Sequence, residues 1–126
     1  MLFGKKILLL MLVIIAGCSA RPSSEESSSA YYGRIPSNYE STIKSYMEST
    51  LFDPLSAQYK NWRGPSQGYF GNNFMKTVYG WRVCTDINAK NRYGGYTGFE
   101  KFQFIIRDDQ VVYRLSGLDA QRFCDF

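Results

Sequence analysis

The sequence of 126 residues contains no histidine and only three cysteines. Histidine is the commonest general base and the commonest metal ligand, so its absence removes the usual routes to acid–base and metal chemistry. The chain also has no Gly-rich phosphate loop at a strand-to-helix junction, and no carboxylate stands near a base or metal partner in the sequence. We therefore expect no catalytic residue, no cofactor and no metal, and a function that is not enzymatic.

Long apolar runs are also missing. The longest one, ILLLMLVIIA over residues 7–16, has ten residues, whereas a membrane-spanning helix needs about 20. Lys5 and Lys6 precede this run, and small residues follow it. A positive start, an apolar segment of this length and a small-residue exit are typical of a secretory signal peptide.

The segment ends in Ile15-Ala16-Gly17-Cys18. This motif resembles the lipobox of bacterial lipoproteins, in which the cysteine becomes the first mature residue and is acylated. The resemblance implies a signal peptide over residues 1–17 and a lipid anchor on Cys18, and two or more acyl chains hold a protein stably on a membrane. The alternative is an ordinary signal peptide in which Cys18 has this position by chance.

The residues after the motif bear on localisation and partners. Ser19 replaces the aspartate that retains enterobacterial lipoproteins in the inner membrane, so the resemblance implies the outer membrane, with the domain in the periplasm or at the cell surface.

Removing residues 1–17 leaves 109 residues, enough for one domain, with 13 basic and 11 acidic residues and a net charge of +2. This charge does not argue for nucleic acid. We expect contact with the membrane through the lipid anchor and with a protein of the envelope.

Cys84 and Cys124 remain once Cys18 is acylated. An even pair of cysteines in an exported domain predicts a disulfide. Such a bridge would close a long loop and stabilise the fold by roughly 4 kcal/mol in the chain-entropy model. The alternative is two buried free thiols.

Composition and periodicity divide the N-terminal part of the mature chain. Residues 18–30 are rich in serine and lack aromatic residues, which predicts a disordered tether that carries the acylated cysteine. Residues 31–126 form the predicted single domain. Ser37 and Glu40 fit a capping box, and apolar residues at helical spacing predict a helix over residues 38–51.

The rest of the domain is predicted to form strands after a short helical turn that Asp53 caps over residues 54–57. Alternating apolar residues predict strands over residues 58–63, 76–87, 99–107 and 111–115, with a loop over 64–73, a bulge at Gly80 and a hairpin tip at Asp108 and Asp109. The predicted class is α+β, with one N-terminal helix packed on an antiparallel sheet of about four strands and one disulfide.

Residues 88–99 (NAKNRYGGYTGF) form the most distinctive stretch of the domain. The segment is longer than most hairpin connections, and it combines Lys90 and Arg92 with Tyr93 and Tyr96. Such side chains stack on a sugar or anchor a protein interface, so we predict that this loop is the main recognition surface. The alternative is a compact loop whose aromatic residues and glycines serve only its own folding.

Two segments, DPLSAQY over residues 53–59 and the 88–99 loop, resemble elements of small uncharacterised bacterial envelope lipoproteins. That resemblance implies no particular activity. Our interpretation is a non-enzymatic outer-membrane lipoprotein that acts through protein contacts as a small envelope accessory or assembly factor, with secretion and conjugation complexes as a partner class by analogy. The alternative is a glycan- or peptidoglycan-binding module, or an inhibitor or exclusion factor against an attacking enzyme or phage.

Overall fold

The computed structural model describes residues 21–72 and 75–126, so the signal peptide and Cys18 lie outside the described residues. Its four strands form one antiparallel sheet in the order β1-β2-β3-β4, which confirms the predicted sheet. In chain order the elements are α1 (Ser24–Ser29), α2 (Tyr39–Glu48), a 3-10 turn (Pro54–Ser56), β1 (Gln58–Asn72), β2 (Met75–Asn88), β3 (Glu100–Arg107), β4 (Gln110–Ser116) and α3 (Gly117–Phe123).

The hydrophobic core lies between α2 and one face of the sheet. Ile43 and Met47, one helical turn apart, are fully buried against Val83, Phe104 and Ile106. Full burial of such a side chain contributes about 2 kcal/mol, so these two residues fix α2 on the sheet. The predicted helix is thus present, but it is neither the only helix nor the first, since α1 precedes it and α3 ends the chain.

A short helix, α1, forms in the C-terminal part of residues 18–30, where the sequence predicts a disordered tether. The hydroxyl of Ser23 accepts a hydrogen bond from the Glu26 amide (3.1 Å), and the Glu26 carboxylate accepts one from the Ser23 amide (2.9 Å). The Tyr32 hydroxyl also donates to the Ser27 carbonyl (2.9 Å). None of the residues of α1 is buried. The capping box and the hydrogen bond from Tyr32 therefore stabilise the helix, although the segment lacks the apolar side chains that usually order a chain by burial.

The predicted capping box at Ser37 and Glu40 is wrong as well. The N-cap of α2 is Asn38, and its side chain makes no capping hydrogen bond. The Glu40 carboxylate instead lies 3.7 Å from the Lys44 ammonium, one turn further along the helix. An i,i+4 pair of this kind competes for the same carboxylate that a capping box needs.

Strand β1 extends through residues 64–72, where the sequence predicts a loop. Its register with β2 shifts between Lys60 and Arg63 and again between Arg63 and Ser66. Asn61 (φ 56°) and Gly64 (φ 97°) adopt positive φ angles within these irregular stretches. The Gly and Pro residues that indicate a turn are therefore accommodated as bulges, which an edge strand tolerates.

Gly80 does not mark a bulge, contrary to the prediction, because its pairing with β1 continues regularly through Gly68. A Cβ atom at position 80 would lie 2.6 Å from Ile105 Cγ2 and 2.6 Å from the Ile106 carbonyl oxygen. Glycine is required here because β3 approaches too closely for any side chain.

The tip of the β3–β4 hairpin lies at Asp108 and Asp109, as predicted, and both residues adopt positive φ angles (51° and 60°). Two such residues form the type I′ turn that matches the twist of the strands. The hairpin also holds the segment before α2, because Tyr31 donates a 2.9 Å hydrogen bond to Asp108 and Arg34 pairs with Asp109 at 2.9 Å.

The predicted disulfide between Cys84 and Cys124 is confirmed, with Cα atoms 6.0 Å apart. Both sulfurs belong to fully buried residues. The bridge joins the centre of β2 to the residue after α3, a helix that the sequence analysis did not predict. Cys84 follows Val83, which packs in the core under α2, and successive side chains of a regular strand point to opposite faces. The bridge therefore holds the end of α3, whose Ala120 is buried, on the face of the sheet opposite α2.

Candidate binding surface

The loop over residues 88–99 has a closed tip that is built around Asn91. The Asn91 side chain accepts hydrogen bonds from the amides of Tyr93 (2.9 Å) and Gly95 (3.3 Å). The backbone amide of Asn91 donates to the Gly95 carbonyl (2.9 Å), and Gly94 adopts a φ of 76°. This Asx-type turn defines the tip without any contribution from the Tyr93 side chain.

Further contacts close the loop behind its tip. Lys90 and Tyr96 form an isolated antiparallel bridge, and the Asn88 side chain accepts a 3.2 Å hydrogen bond from the Gly98 amide. At the end of the loop, the Lys60 ammonium lies 3.8 Å from the centre of the Phe99 ring. The segment is a compact, internally bonded loop whose backbone is held in a fixed conformation.

Ser56, at the end of the 3-10 turn, docks the loop on the body of the domain. Its hydroxyl accepts a 2.8 Å hydrogen bond from the Lys90 amide, and its carbonyl accepts one from the Tyr96 hydroxyl, also at 2.8 Å. The same hydroxyl donates to the Asp53 carbonyl (2.7 Å). The loop and the turn over residues 52–56 therefore form one bonded unit.

The four predicted binding residues divide into two pairs within this unit. Lys90 and Tyr96 lie together, with the ammonium 5.6 Å from the centre of the ring, and Tyr96 is 44% exposed. Arg92 and Tyr93 occupy the tip, where Tyr93 is 88% exposed. Tyr96 thus has a structural bond as well as an exposed face, whereas Tyr93 projects freely into solvent.

Sequence reasoning missed two large apolar residues beside the loop. Phe52 is 71% exposed and Leu55 is 99% exposed. Phe52 lines a cavity of about 230 Å³ together with Lys90 and Asn91. The sequence signal was available: the apolar periodicity of α2 ends at Leu51, so large apolar residues on either side of Asp53 and Pro54 have no place in that helical stripe. We call Phe52, Leu55, Tyr93 and Tyr96 the loop–turn surface.

A groove of about 600 Å³ lies between α2, the 3-10 turn and β1, and Leu55 of the loop–turn surface forms part of its wall. Its wall contains Tyr59 and Trp62, whose rings are parallel within 6° with centroids 5.6 Å apart. Residues i and i+3 of a regular strand point to opposite faces. Here the left-handed Asn61 and the bulge after Lys60 place both rings on the same side.

Charged residues of α2 form the opposite wall of this groove. The Lys44 ammonium lies 5.5 Å from the Tyr59 centroid and 5.9 Å from the Trp62 centroid, between Glu40 and Glu48 along the helix. Burial raises the pKa of the Tyr59 phenol, and the negative charge of Glu48 raises it further. The phenol therefore stays protonated near neutral pH and can donate a hydrogen bond.

No group of three or more histidine, cysteine, aspartate or glutamate side chains that could hold a metal ion occurs within residues 21–72 and 75–126. Cys84 and Cys124 are bridged to each other and supply no thiolate. None of the helices in the same ranges is both long and apolar enough to span a bilayer.

Comparison of the chain with protein-family models, with curated protein sequences and with solved structures finds no match.

Proposed function

We propose that this chain is a non-enzymatic lipoprotein of the bacterial outer membrane that acts through protein contacts as a small accessory or assembly factor of the envelope. Acylation of Cys18 anchors it, and the domain faces the periplasm or the cell surface. The sequence motif at residues 15–18 supports the anchor, and the geometry around Ser56 supports the mode of action.

The observation that carries the proposal is the loop–turn surface. Phe52, Leu55 and Tyr93 expose most of their apolar area to solvent, although the two segments that carry them are held by the hydrogen bonds to Ser56. Large apolar and aromatic side chains on a fixed frame lose little conformational entropy when a partner covers them, and they are typical anchors of protein interfaces.

The positive charge of the 88–99 loop favours a partner with an acidic surface. Residues 88–99 contain Lys90 and Arg92 and no acidic residue. A partner surface with an apolar centre and acidic residues at its rim is complementary to this loop. Such rim charges act mainly on the rate and selectivity of association.

Affinity purification from native outer membranes tests the proposal. The Phe52→Ala variant is compared with Ile35→Ala, because Ile35 is similarly exposed (64% against 71%) but follows Arg34, which pairs with Asp109 at the far end of β3. We expect wild type and Ile35→Ala to retain the same envelope protein and Phe52→Ala to lose it. Equal recovery by all three would contradict the proposal.

The groove favours a second candidate, a glycan- or peptidoglycan-binding module. Its parallel Tyr59 and Trp62 rings offer apolar faces for sugar rings, and Glu40 and Glu48 offer hydrogen-bond acceptors. Incubation of the purified protein with isolated cell-wall sacculi separates the two candidates. Sedimentation with sacculi, without capture of an envelope protein, would favour the glycan module. Capture of an attacking enzyme or a phage protein would favour an inhibitor.

A further inference from the structure

Arg82 lies in the centre of β2, and no acidic side chain of residues 21–72 and 75–126 forms an ion pair with it. Its Nε atom is buried and forms no hydrogen bond. The three ion pairs within the described ranges involve Arg34, Lys44 and Lys101. Arg82 is half-buried, and partial burial lowers the pKa of its guanidinium. A partly desolvated charged group that borders a cavity is a candidate for a binding site.

Two neighbours fix the position of this side chain. A Cβ atom at Gly68 would lie 3.0 Å from Arg82 Cβ and 3.4 Å from Arg82 Nε, so the glycine provides the space that the arginine occupies. The central guanidinium carbon lies 4.1 Å from the centre of the Phe126 ring. This cation–π contact covers one face of the guanidinium, while its nitrogen atoms remain available as donors.

Arg82 lines a cavity of about 320 Å³ between α1, β1, β2 and α3. Tyr32, Tyr69 and Phe123 contribute aromatic rings to its wall, and Gln67 contributes a polar residue. Its volume is at the lower end of the range of about 300 to 1,000 Å³ that small-molecule sites occupy. None of the described residues that line this cavity is acidic, so an anion in it would meet no like charge from them.

We propose that the cavity beside Arg82 binds a small organic carboxylate. The planar fork of an arginine matches a carboxylate through two parallel hydrogen bonds, and bound carboxylate would supply the partner that Arg82 lacks. A single cation balances a single negative charge, which favours a monoanion over a doubly charged phosphate. The three aromatic rings suit an apolar or aromatic body attached to the carboxylate.

The test uses the full chain in detergent and isothermal titration calorimetry with benzoate, benzamide and inorganic phosphate as probes. Benzamide has nearly the shape of benzoate but no charge. We expect benzoate to bind at least tenfold more tightly than either of the other probes. Equal affinity for benzoate and benzamide, or tighter binding of phosphate, would overturn the assignment.

Two variants test whether Arg82 is responsible for the binding of benzoate. Arg82→Met keeps most of the aliphatic stem and removes the charge, and we expect it to weaken benzoate binding at least tenfold. Arg122→Met is the matched control, because Arg122 is exposed on α3 next to Phe123, and we expect it to bind as wild type does. Circular dichroism verifies that both variants are folded. If folded Arg82→Met binds benzoate with wild-type affinity, the cavity is not the site.

Discussion

The phenol of Tyr96 donates a 2.8 Å hydrogen bond to the backbone carbonyl of Ser56, across 40 residues of sequence. The bond joins the 88–99 loop to the turn after α2, and the Lys90 amide adds a second link to the Ser56 hydroxyl. Tyr96 therefore positions the loop. The Tyr93 side chain forms no comparable hydrogen bond to the described residues and is 88% exposed, so its ring is accessible to a partner. This division of roles could not be read from the sequence, where the two tyrosines look equivalent.

Substitution of the two tyrosines is expected to separate binding from stability. Tyr93→Ala should weaken partner binding by about 2 kcal/mol or more, as truncation of an aromatic anchor does. Its thermal midpoint should not change, because the Tyr93 ring is 88% exposed and alanine keeps the amide that bonds to Asn91. Tyr96→Phe should instead lower the free energy of unfolding by about 1 kcal/mol, the net contribution of one hydrogen bond.

Differential scanning calorimetry and a pull-down with the native partner measure both effects on the same samples. A Tyr93→Ala variant that melts several degrees below wild type and binds in proportion to its folded fraction would show that the loop serves only its own folding. Tyr96→Ala is a poor probe of binding, since it removes the bond to Ser56 and the exposed ring together.

Much of the fold followed from the sequence because most of its elements obey local rules. The alternating residues of β3, the Asp108–Asp109 turn and the apolar stripe of α2 each have a short-range signal. The extension of β1 did not, because Gly64 favours a turn in isolation and is held in the strand only by pairing with β2. The loop–turn surface could be predicted only in part: the 88–99 loop has a local sequence signal, but Phe52 and Leu55 join it only through the tertiary contacts of Ser56.

Removal of the disulfide is expected to reduce stability strongly. Cys84 and Cys124 are 40 residues apart, and closing a loop of this length stabilises the folded state by about 4 kcal/mol in the chain-entropy model. The double variant Cys84→Ala and Cys124→Ala should show this loss in urea denaturation, and α3 should become more sensitive to protease. For comparison, the non-reduced wild type should be about two mass units lighter than its reduced form. Two thiols that alkylate without reduction would contradict the bridge.

Gly80→Ala should destabilise the sheet although the substitution adds only a methyl group. The new carbon would lie 2.6 Å from Ile105 Cγ2 and from the Ile106 carbonyl oxygen, and overpacking of this kind costs about 1 to 3 kcal/mol. Gly95→Ala is the control, because a Cβ there meets only Asn91 Oδ1, at 4.0 Å, and the backbone φ is not positive. Urea denaturation of both variants measures the effect. Equal midpoints would show that β3 shifts to accommodate the methyl group without a loss of stability.

Alkaline pH should reduce stability through Tyr59. Burial, followed by the charge of Glu48, raises the pKa of the folded-state phenol above its ordinary value of 10.0. The protonated phenol therefore contributes stability that is fully present below pH 10 and is lost as pH rises through the folded-state pKa. Free energies of unfolding between pH 8 and 11 should decline less steeply in Tyr59→Phe than in wild type. Identical slopes would show that Tyr59 titrates alike in the folded and unfolded states.

Cys18→Ser should release the protein from membranes. Cys18 lies outside the described residues, and the prediction rests on the motif at residues 15–18. Each buried methylene of an acyl chain contributes about 0.8 kcal/mol to membrane binding, so the loss of several chains removes the anchor entirely. Fractionation in high salt is the measurement, because salt suppresses purely electrostatic association with the membrane. If Cys18→Ser is processed normally and still sediments with the outer membrane, another part of the chain holds the protein there.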